Sequence, residues 1–238
     1  MQQRYRPGED YYLGVDVQLS RGCSYYVLDA RLDYISSGWL VGEDPDEFCE
    51  KLLSLVDSLS ARDPGRIAVG IDAPRVALSE PRQYYFRSGK WINKTPQNKG
   101  YGRHCEVVIK ALNIANPQWT PLEGEAPAWM ELGFALFNSL RDYPYIYEVF
   151  PTASYRLLEK NPGPQIKLSF ENFLPGPKDM LDAAVSAFTA AQVRAGKGCE
   201  VGGGDGKGTI ALPAGLPICG SHPVLKWPEN SDSGIRSE

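Results

Sequence analysis

A short motif, glycine followed by valine or isoleucine and then aspartate, occurs twice in this chain within β-prone apolar segments. The first segment, Tyr11–Gln18, reads YYLGVDVQ, and the second, Ile67–Pro74, reads IAVGIDAP. Each places an acid, Asp16 or Asp72, in an apolar strand that contains no lysine or arginine. Because an isolated buried charge is costly, such acids are usually paired, protonated or bound to a metal. Two of them in matching settings predict a shared acidic site.

The segments around the repeated motif predict a mixed sheet. Strand signals at Tyr11–Gln18, Cys23–Ala30 and Leu32–Val41 are separated by short turns and therefore form an antiparallel meander. A helix that begins at Asp44-Pro45 leads to a fourth strand, Arg66–Ala73, and a helical crossover is what a parallel neighbour requires.

The rest of the chain completes a single α/β domain over residues 1–238. The remaining signals are helices at His104–Asn113, Ala126–Leu140, Thr152–Lys160 and Lys178–Arg194, and strands at Tyr145–Phe150 and Thr209–Leu212. We expect a core at about 11–213, a loop-rich basic insertion at about 75–120 and a flexible tail at about 219–238. Neither an internal repeat nor a linker divides the chain into two cores.

The placement of Asp16 and Asp72 favours a metal site. If their strands are parallel neighbours, equivalent positions lie about 4.8 Å apart, at the strand ends where open α/β sheets bind ligands. Two carboxylates that close cannot both stay ionised unless a cation joins them or one pKa rises. Hard oxygen ligands without a histidine cluster favour Mg²⁺ or Mn²⁺ over Zn²⁺. The alternative is that each aspartate caps a neighbouring loop.

Three further acids are candidates for the same site. Asp179 and Asp182 lie three residues apart on one face near the start of the last helix. An acid such as Asp179 in a first turn also complements the helix dipole. The alanines after Asp182 let this helix approach a sheet closely, so we expect Asp182 to face the strand ends. Glu148 stands in the apolar strand YIYEVFP and either joins the site or faces solvent.

The segment from Pro81 to Cys105 contains no acid and favours nucleic acid as a partner. Its basic residues are Arg82, Arg87, Lys90, Lys94, Lys99 and Arg103, and its aromatic residues are Tyr84, Tyr85, Phe86, Trp91 and Tyr101. Cations beside aromatic rings suit a phosphate backbone with unstacked bases. The alternative is an insertion whose aromatic residues pack onto the domain. The net charge of −4 means that the surface as a whole does not favour polyanions.

Composition also bears on the compartment. No apolar run approaches the roughly 20 residues that span a bilayer, so we expect no membrane partner. The five cysteines are scattered and odd in number, which is typical of reduced thiols in a cytoplasmic protein. The first residues contain no apolar signal core.

Taken in order, these motifs resemble a known fold. The chain resembles the RNase H-like nucleases in four features: an acid near a glycine in the first strand, a three-strand meander, an acid in the fourth strand and D-x-x-D-A in the last helix. The stretch DMLDAA looks like the closing helix of the RuvC resolvase branch. More closely, the chain resembles domain-of-unknown-function family 429, a group predicted to be RNase H-like (RuvC-like) nucleases. The matching pieces are GVD at 14–16, GIDAP at 70–74, RHCE at 103–106, YEVFP at 147–151 and KDMLDA at 178–183.

The resemblance implies a metal-dependent nuclease that hydrolyses phosphodiester bonds with two Mg²⁺ or Mn²⁺ ions. Asp16 would bridge both ions, Asp72 and Asp182 would each hold one, and Asp179 or Glu148 would complete the set. Two ions about 4 Å apart activate a water and stabilise the leaving 3′ oxygen. The basic insertion would hold the nucleic-acid backbone, with Arg103 on a phosphate.

Two other functions fit the same fold. One is a non-catalytic nucleic-acid-binding module that uses the basic aromatic insertion. The other is an actin-like phosphotransferase or ATPase, which needs a glycine shortly after the first aspartate, whereas Asp16 is followed by Val17 and the first glycine comes at Gly22. The substrate stays open among DNA, RNA and a smaller phosphodiester, as does the oligomeric state.

Overall fold

The fold is known from a computed structural model that describes residues 10–61, 63–160, 177–216, 218 and 220–228. The first three strands, β1 (Tyr11–Asp16), β2 (Cys23–Asp29) and β3 (Tyr34–Leu40), form the predicted antiparallel meander. Helix α1 (Pro45–Ser60) then leads to β4 (Ile67–Asp72), which pairs with β1 in parallel.

The central sheet has five strands in the order β3-β2-β1-β4-β7, where β7 is Ile146–Glu148. Strands β1, β4 and β7 are mutually parallel, and the meander is antiparallel, so the predicted mixed sheet is confirmed. The register between β1 and β4 pairs Gly14 with Gly70 and Asp16 with Asp72. The two copies of the motif therefore lie side by side.

Helices cover both faces of this sheet. Helix α1 begins where the Asp44 carboxylate accepts the Glu47 N–H at 2.9 Å, and its apolar face, with Phe48, Leu52 and Val56, packs beside α3 (Ala128–Ser139). The other face receives α5 (Pro177–Arg194), while α4 (Pro151–Lys160) packs against α5. Of the helices in the described ranges, none is long and apolar enough to cross a membrane.

The predicted insertion contains more regular structure than its sequence indicated. The expected helix is present as α2 (His104–Ala111), but a hairpin, β5 (Tyr84–Arg87) and β6 (Lys90–Asn93), precedes it. Its two-residue turn, Ser88-Gly89, has positive φ at both positions, 50° and 77°, which suits the twist of a tight hairpin. That short turn between β-prone segments was the signal for a hairpin.

The C-terminal part adds a second hairpin, β8 (Cys199–Gly202) with β9 (Thr209–Leu212), of which only β9 was predicted. Within the predicted tail, residues 220–228 are described and pack on the domain. Val224 is fully buried, and Trp227 lies 5.1 Å from Trp91, ring centre to ring centre. Part of the segment that was predicted to be flexible therefore contacts the domain, and 219 and 229–238 lie outside the described part.

Candidate metal centre

Three carboxylates converge at one edge of the sheet. Asp16 and Asp72 are the last residues of β1 and β4, and Asp182 lies in α5, which crosses the same face. One oxygen from each carboxylate lies within 4.8 Å of the others. Asp16 and Asp182 are buried at 6% and 5% exposure, and Asp72 is half-buried. The acidic cup, as we call Asp16, Asp72 and Asp182, is therefore the shared site that the repeated motif predicted.

The glycines of the repeated motif explain why α5 can contribute a carboxylate. Side chains alternate along a strand, so Gly14 and Asp16 face α5 together, as do Gly70 and Asp72. A Cβ atom on Gly14 would lie 1.9 Å from the Ala183 carbonyl oxygen, and one on Gly70 would lie 2.4 Å from that of Ser186. The missing side chains let the α5 backbone rest directly on the sheet, which brings Asp182 over the strand ends.

Mutual repulsion and burial disfavour full ionisation of the cup. Burial raises the pKa of Asp16 to about 6, and the Asp182 charge adds to this, although the Gln18 amide donates a hydrogen bond to Asp16 at 2.7 Å. Burial, followed by the charges of Asp16 and Asp182, raises the pKa of Asp72 well above its usual value. Bound protons therefore neutralise part of the negative charge of the cup, and a cation could take the place of these protons.

Asp182 has two partners that sequence analysis missed. Lys178 Nζ lies 2.6 Å from Asp182 Oδ2, and the Tyr155 hydroxyl donates a hydrogen bond to Oδ1 at 2.8 Å. The hydrogen bond to Asp182 raises the pKa of Lys178, and burial together with the Asp182 charge raises the pKa of Tyr155. The spacing of Lys178 and Asp182, four residues on one helix, was a usable signal for their pairing. Tyr155 gave no local signal, because it lies on α4.

Asp179 lies beside the cup but is not one of the three converging acids. Its carboxylate is 3.1 Å from Arg21 Nη2, and its backbone carbonyl accepts a hydrogen bond from Ser24 at 2.9 Å. Its charge contributes to the raised pKa of Asp16. The structure therefore gives Asp179 an ion-pair partner and an electrostatic influence on the cup, whereas the sequence predicted a metal ligand.

Glu148, the other predicted member of the metal set, is held by a different group. It is the last residue of β7 and is 4% exposed, and its two oxygens accept hydrogen bonds from both terminal nitrogens of Arg103, with Nη1 at 2.7 Å from Oε2. Glu148 Oε2 also accepts the Arg75 N–H at 2.9 Å. Burial raises the pKa of Glu148, and Arg103 opposes that rise. The structure therefore gives Glu148 a buried ion-pair partner, whereas the sequence predicted a member of the acidic site or a solvent-facing residue.

Arg103 also binds a second carboxylate. Its Nε and Nη2 lie 2.9 and 2.8 Å from Glu106 Oε1, and Glu106 Oε2 accepts the Thr120 N–H at 2.9 Å. Arg103 is 1% exposed and paired with two carboxylates, whereas the sequence predicted a contact with a phosphate. Cys105, Glu106 and Glu148 lie close enough to hold an ion, but the Arg103 guanidinium already occupies both carboxylates. We call Arg103, Glu106 and Glu148 the buried clamp.

The other five predicted backbone-binding cations lie around the β5–β6 hairpin. Arg87, Lys90 and Lys99 are exposed, and Lys94 is half-buried. Arg82 is half-buried between two rings, with its guanidinium carbon 4.2 Å from the centre of Tyr85 and 4.7 Å from that of Trp119. The hairpin therefore presents a basic edge at its turn.

The aromatic residues of the hairpin face inward. Ring centres of Phe86 and Trp91 are 5.2 Å apart, and Trp91 also lies 5.8 Å from His104 at the start of α2. Tyr84 packs edge-on against Trp227 at 5.8 Å. This is the arrangement expected of an insertion whose aromatic residues pack onto the domain.

A cavity of about 300 Å³ opens between the acidic cup and the buried clamp. Its lining includes Asp72 from the cup and Arg103, Glu106 and Glu148 from the clamp. The aromatic residues Trp129 and Phe150 also line it, and both are half-buried. Sequence reasoning did not predict this cavity, because its walls come from segments far apart in the chain.

Comparisons with protein-family models, curated proteins and solved structures give no match to this chain. What the cup can do must therefore be judged from its own geometry. Two carboxylates at the ends of parallel strands, both with a raised pKa, and a third from α5 offer only hard oxygen ligands and can hold a divalent cation. A cavity beside them leaves room for a substrate.

Proposed function

We propose that this protein is a metal-dependent nuclease that hydrolyses phosphodiester bonds of nucleic acid. The observation that carries the proposal is the approach of Asp16, Asp72 and Asp182 to within 4.8 Å, from two parallel strands and a helix distant in sequence. A charge cluster of this kind is costly to bury without a cation. The presence of three clustered carboxylates is therefore consistent with a site that binds a cation.

The order of elements supports an RNase H-like identity for the fold. The elements follow the order expected from the resemblance: a meander, a crossover helix, a parallel strand beside β1, a further parallel strand, and a last helix that packs across β1 and β4. The resemblance to domain-of-unknown-function family 429 remains part of this proposal.

The donor set fits Mg²⁺ or Mn²⁺. Asp16 is the residue proposed to bridge two ions, while Asp72 and Asp182 would each help to hold one of them. Ions bound there would supply an activated water and stabilisation of the leaving oxygen. Gln18 orients Asp16, and Tyr155 orients Asp182, through the hydrogen bonds described above.

Lys178 has a separate role in the proposal. Its side chain is 81% exposed although its ammonium contacts the buried Asp182. A flexible, exposed cation can leave that carboxylate when a metal binds and can then contact a substrate phosphate. The exposed basic residues at the hairpin turn would add attraction for the rest of the strand.

A non-catalytic binding module is the second candidate. It is favoured by the exposed cations Arg87, Lys90 and Lys99, but the inward packing of the hairpin aromatics removes much of the stacking surface it would need. An actin-like phosphotransferase is the third and rests on overall fold alone.

The test is cleavage of labelled single-stranded, duplex and branched DNA and of RNA with Mn²⁺, Mg²⁺ or EDTA. We expect metal-dependent cleavage by the native protein and loss of at least two orders of magnitude in rate in Asp16→Asn. The matched control is Asp46→Asn, the same change at an exposed position in the first turn of α1.

Each alternative has a distinct result in the same experiment. Nucleic-acid binding that is indifferent to EDTA and to Asp16→Asn, without cleavage, would support the binding module. ATP hydrolysis that depends on Asp16, without cleavage, would support the phosphotransferase. Cleavage that survives in Asp16→Asn would refute the proposed site.

A further inference from the structure

The cavity beside the acidic cup has the position of a substrate pocket. Asp72 belongs to both, so whatever fills the cavity touches the residue proposed to hold a metal. In a nucleotide the base is attached to the sugar next to the phosphate. A phosphate placed at the cup therefore brings a base to the mouth of this cavity.

The walls of the cavity suit a flat, apolar-faced ring. Trp129, at the start of α3, and Phe150, just after β7, contribute aromatic rings, and Pro74 and Pro117 contribute rigid apolar surfaces. Aromatic side chains bind unstacked bases of any sequence, because every base has a π-face. Gln118 is exposed among the lining residues and offers an amide donor and acceptor to the polar edge of a base.

The floor of the cavity is rigid and polar. The buried clamp fixes Arg103 by several hydrogen bonds, and through Glu148 it also holds the backbone N–H of Arg75, three residues after Asp72. The clamp therefore keeps the wall of the cavity and the strand end that carries Asp72 in one arrangement. A preformed pocket loses little free energy to ordering when a ligand enters.

The size of the cavity sets the class of substrate. About 300 Å³ is at the small end for ligand pockets, enough for one base and not for a stacked base pair. A base inside a duplex can enter only after it has been unpaired and unstacked, which costs free energy.

From these features we infer that the cavity binds one unstacked nucleobase beside the scissile phosphate, so that the substrate is single-stranded or locally unpaired nucleic acid. This rests on the proposed function, because the cup supplies the phosphate position. Trp129 is the principal stacking surface and Gln118 a contact to the edge of the base.

The experiment measures affinity and not cleavage. A short fluorescent single strand, the same strand with one abasic site and its blunt duplex are titrated in Ca²⁺, a cation that takes oxygen ligands. The variant Trp129→Leu keeps apolar bulk but removes the ring. The matched control is Trp39→Leu, the same change on edge strand β3, outside the cavity lining. Mn²⁺ affinity of each variant is measured by calorimetry.

We expect the native protein to bind the intact strand more tightly than the duplex. Trp129→Leu should weaken binding of the intact strand about 5- to 150-fold, the range for one base stacked on an aromatic ring. Moving the abasic site along the strand identifies the position at which a missing base lowers the affinity of the native protein most. For the strand that lacks this base, and for Mn²⁺, the affinity of Trp129→Leu should equal that of the native protein. Trp39→Leu should bind every strand with native affinity.

Two results would overturn the inference: equal affinity of Trp129→Leu and Trp39→Leu for the intact strand, or an affinity that no abasic position changes. Failure of the proposed function has a different signature. If no strand is cleaved but Trp129→Leu weakens binding of the intact strand and not of the abasic strand, the base pocket stands and the nuclease proposal falls. If cleavage occurs but Trp129→Leu binds the intact strand as tightly as the native protein does, the nuclease proposal stands and the base pocket falls.

Discussion

Replacing Gly14 with alanine tests whether the close approach of α5 builds the acidic cup. A Cβ atom at this position would lie 1.9 Å from the carbonyl oxygen of Ala183 and 2.4 Å from the backbone nitrogen of Ala187. Ordinary van der Waals contact begins at 3.4 Å, so the helix must retreat by about 1.5 Å. Both contacts are backbone atoms, and no side-chain rotation can relieve them.

The retreat has two measurable costs. Overpacking a core typically costs about 1 to 3 kcal/mol, and a clash with helix backbone belongs at the upper end, so we expect a loss of about 3 kcal/mol in the free energy of unfolding. Asp182 immediately precedes Ala183, so the same movement draws it away from Asp16. Displaced supporting contacts commonly lower metal affinity by about 10- to 100-fold, and we expect a loss in that range for Mn²⁺.

Urea unfolding measures the first cost, and calorimetric Mn²⁺ titration of the folded variant measures the second. Gly70→Ala, whose Cβ atom would lie 2.4 Å from the Ser186 carbonyl, should show both effects in milder form. Gly215→Ala is the matched control, because nothing lies within 4 Å of its Cβ position. If Gly14→Ala stays within about 0.5 kcal/mol of the native protein and binds Mn²⁺ as tightly, the reasoning is refuted.

Two further predictions concern the charges of the site. The pKa of Asp16 is about 6 in the folded chain against 3.8 for an ordinary aspartate, so the folded state binds the extra proton. In EDTA, the free energy of unfolding should therefore fall by up to about 3 kcal/mol as the pH rises from about 4 to about 6. In Asp16→Asn it should fall less over the same range. If urea unfolding shows the same pH dependence for both proteins, the prediction is contradicted. Arg103→Met leaves two buried carboxylates without their cation, and we expect it to cost about 3 to 5 kcal/mol, whereas Lys90→Met at the exposed hairpin turn should change stability by less than about 0.5 kcal/mol. A loss in Arg103→Met no larger than in Lys90→Met would show that the clamp does not stabilise the fold.

The sequence predicted the sheet well because its signals are local. Alternation of apolar residues and short turns identify the meander, and a helix with an aspartate cap identifies the crossover to β4. The hairpin β5–β6 was missed because Arg87, Lys90 and other charged residues made the segment look like a solvated loop. Its rings pack against α2 and Trp227, which are distant in sequence.

The sequence alone identified Asp16 and Asp72 as a pair. The same motif in two strands places the two acids at equivalent positions if the strands pair in parallel, and the register between β1 and β4 does pair them. Asp182 could also be anticipated, because an alanine-rich helix that follows an acid can pack closely on a sheet.

Only the tertiary structure decided what each remaining charge does. Glu148 and Asp182 both stand in apolar surroundings, yet one pairs with Arg103, 45 residues away, and the other joins the cup. A buried charge pairs with whichever charged groups lie beside it in the low-dielectric interior, where the interaction is strong. The separation of two residues along the chain does not predict which groups these are. The two glycines illustrate the same difference between sequence and structure. The sequence shows a glycine two residues before each acid. The requirement for glycine comes from the α5 backbone, which contacts these positions only in the folded chain.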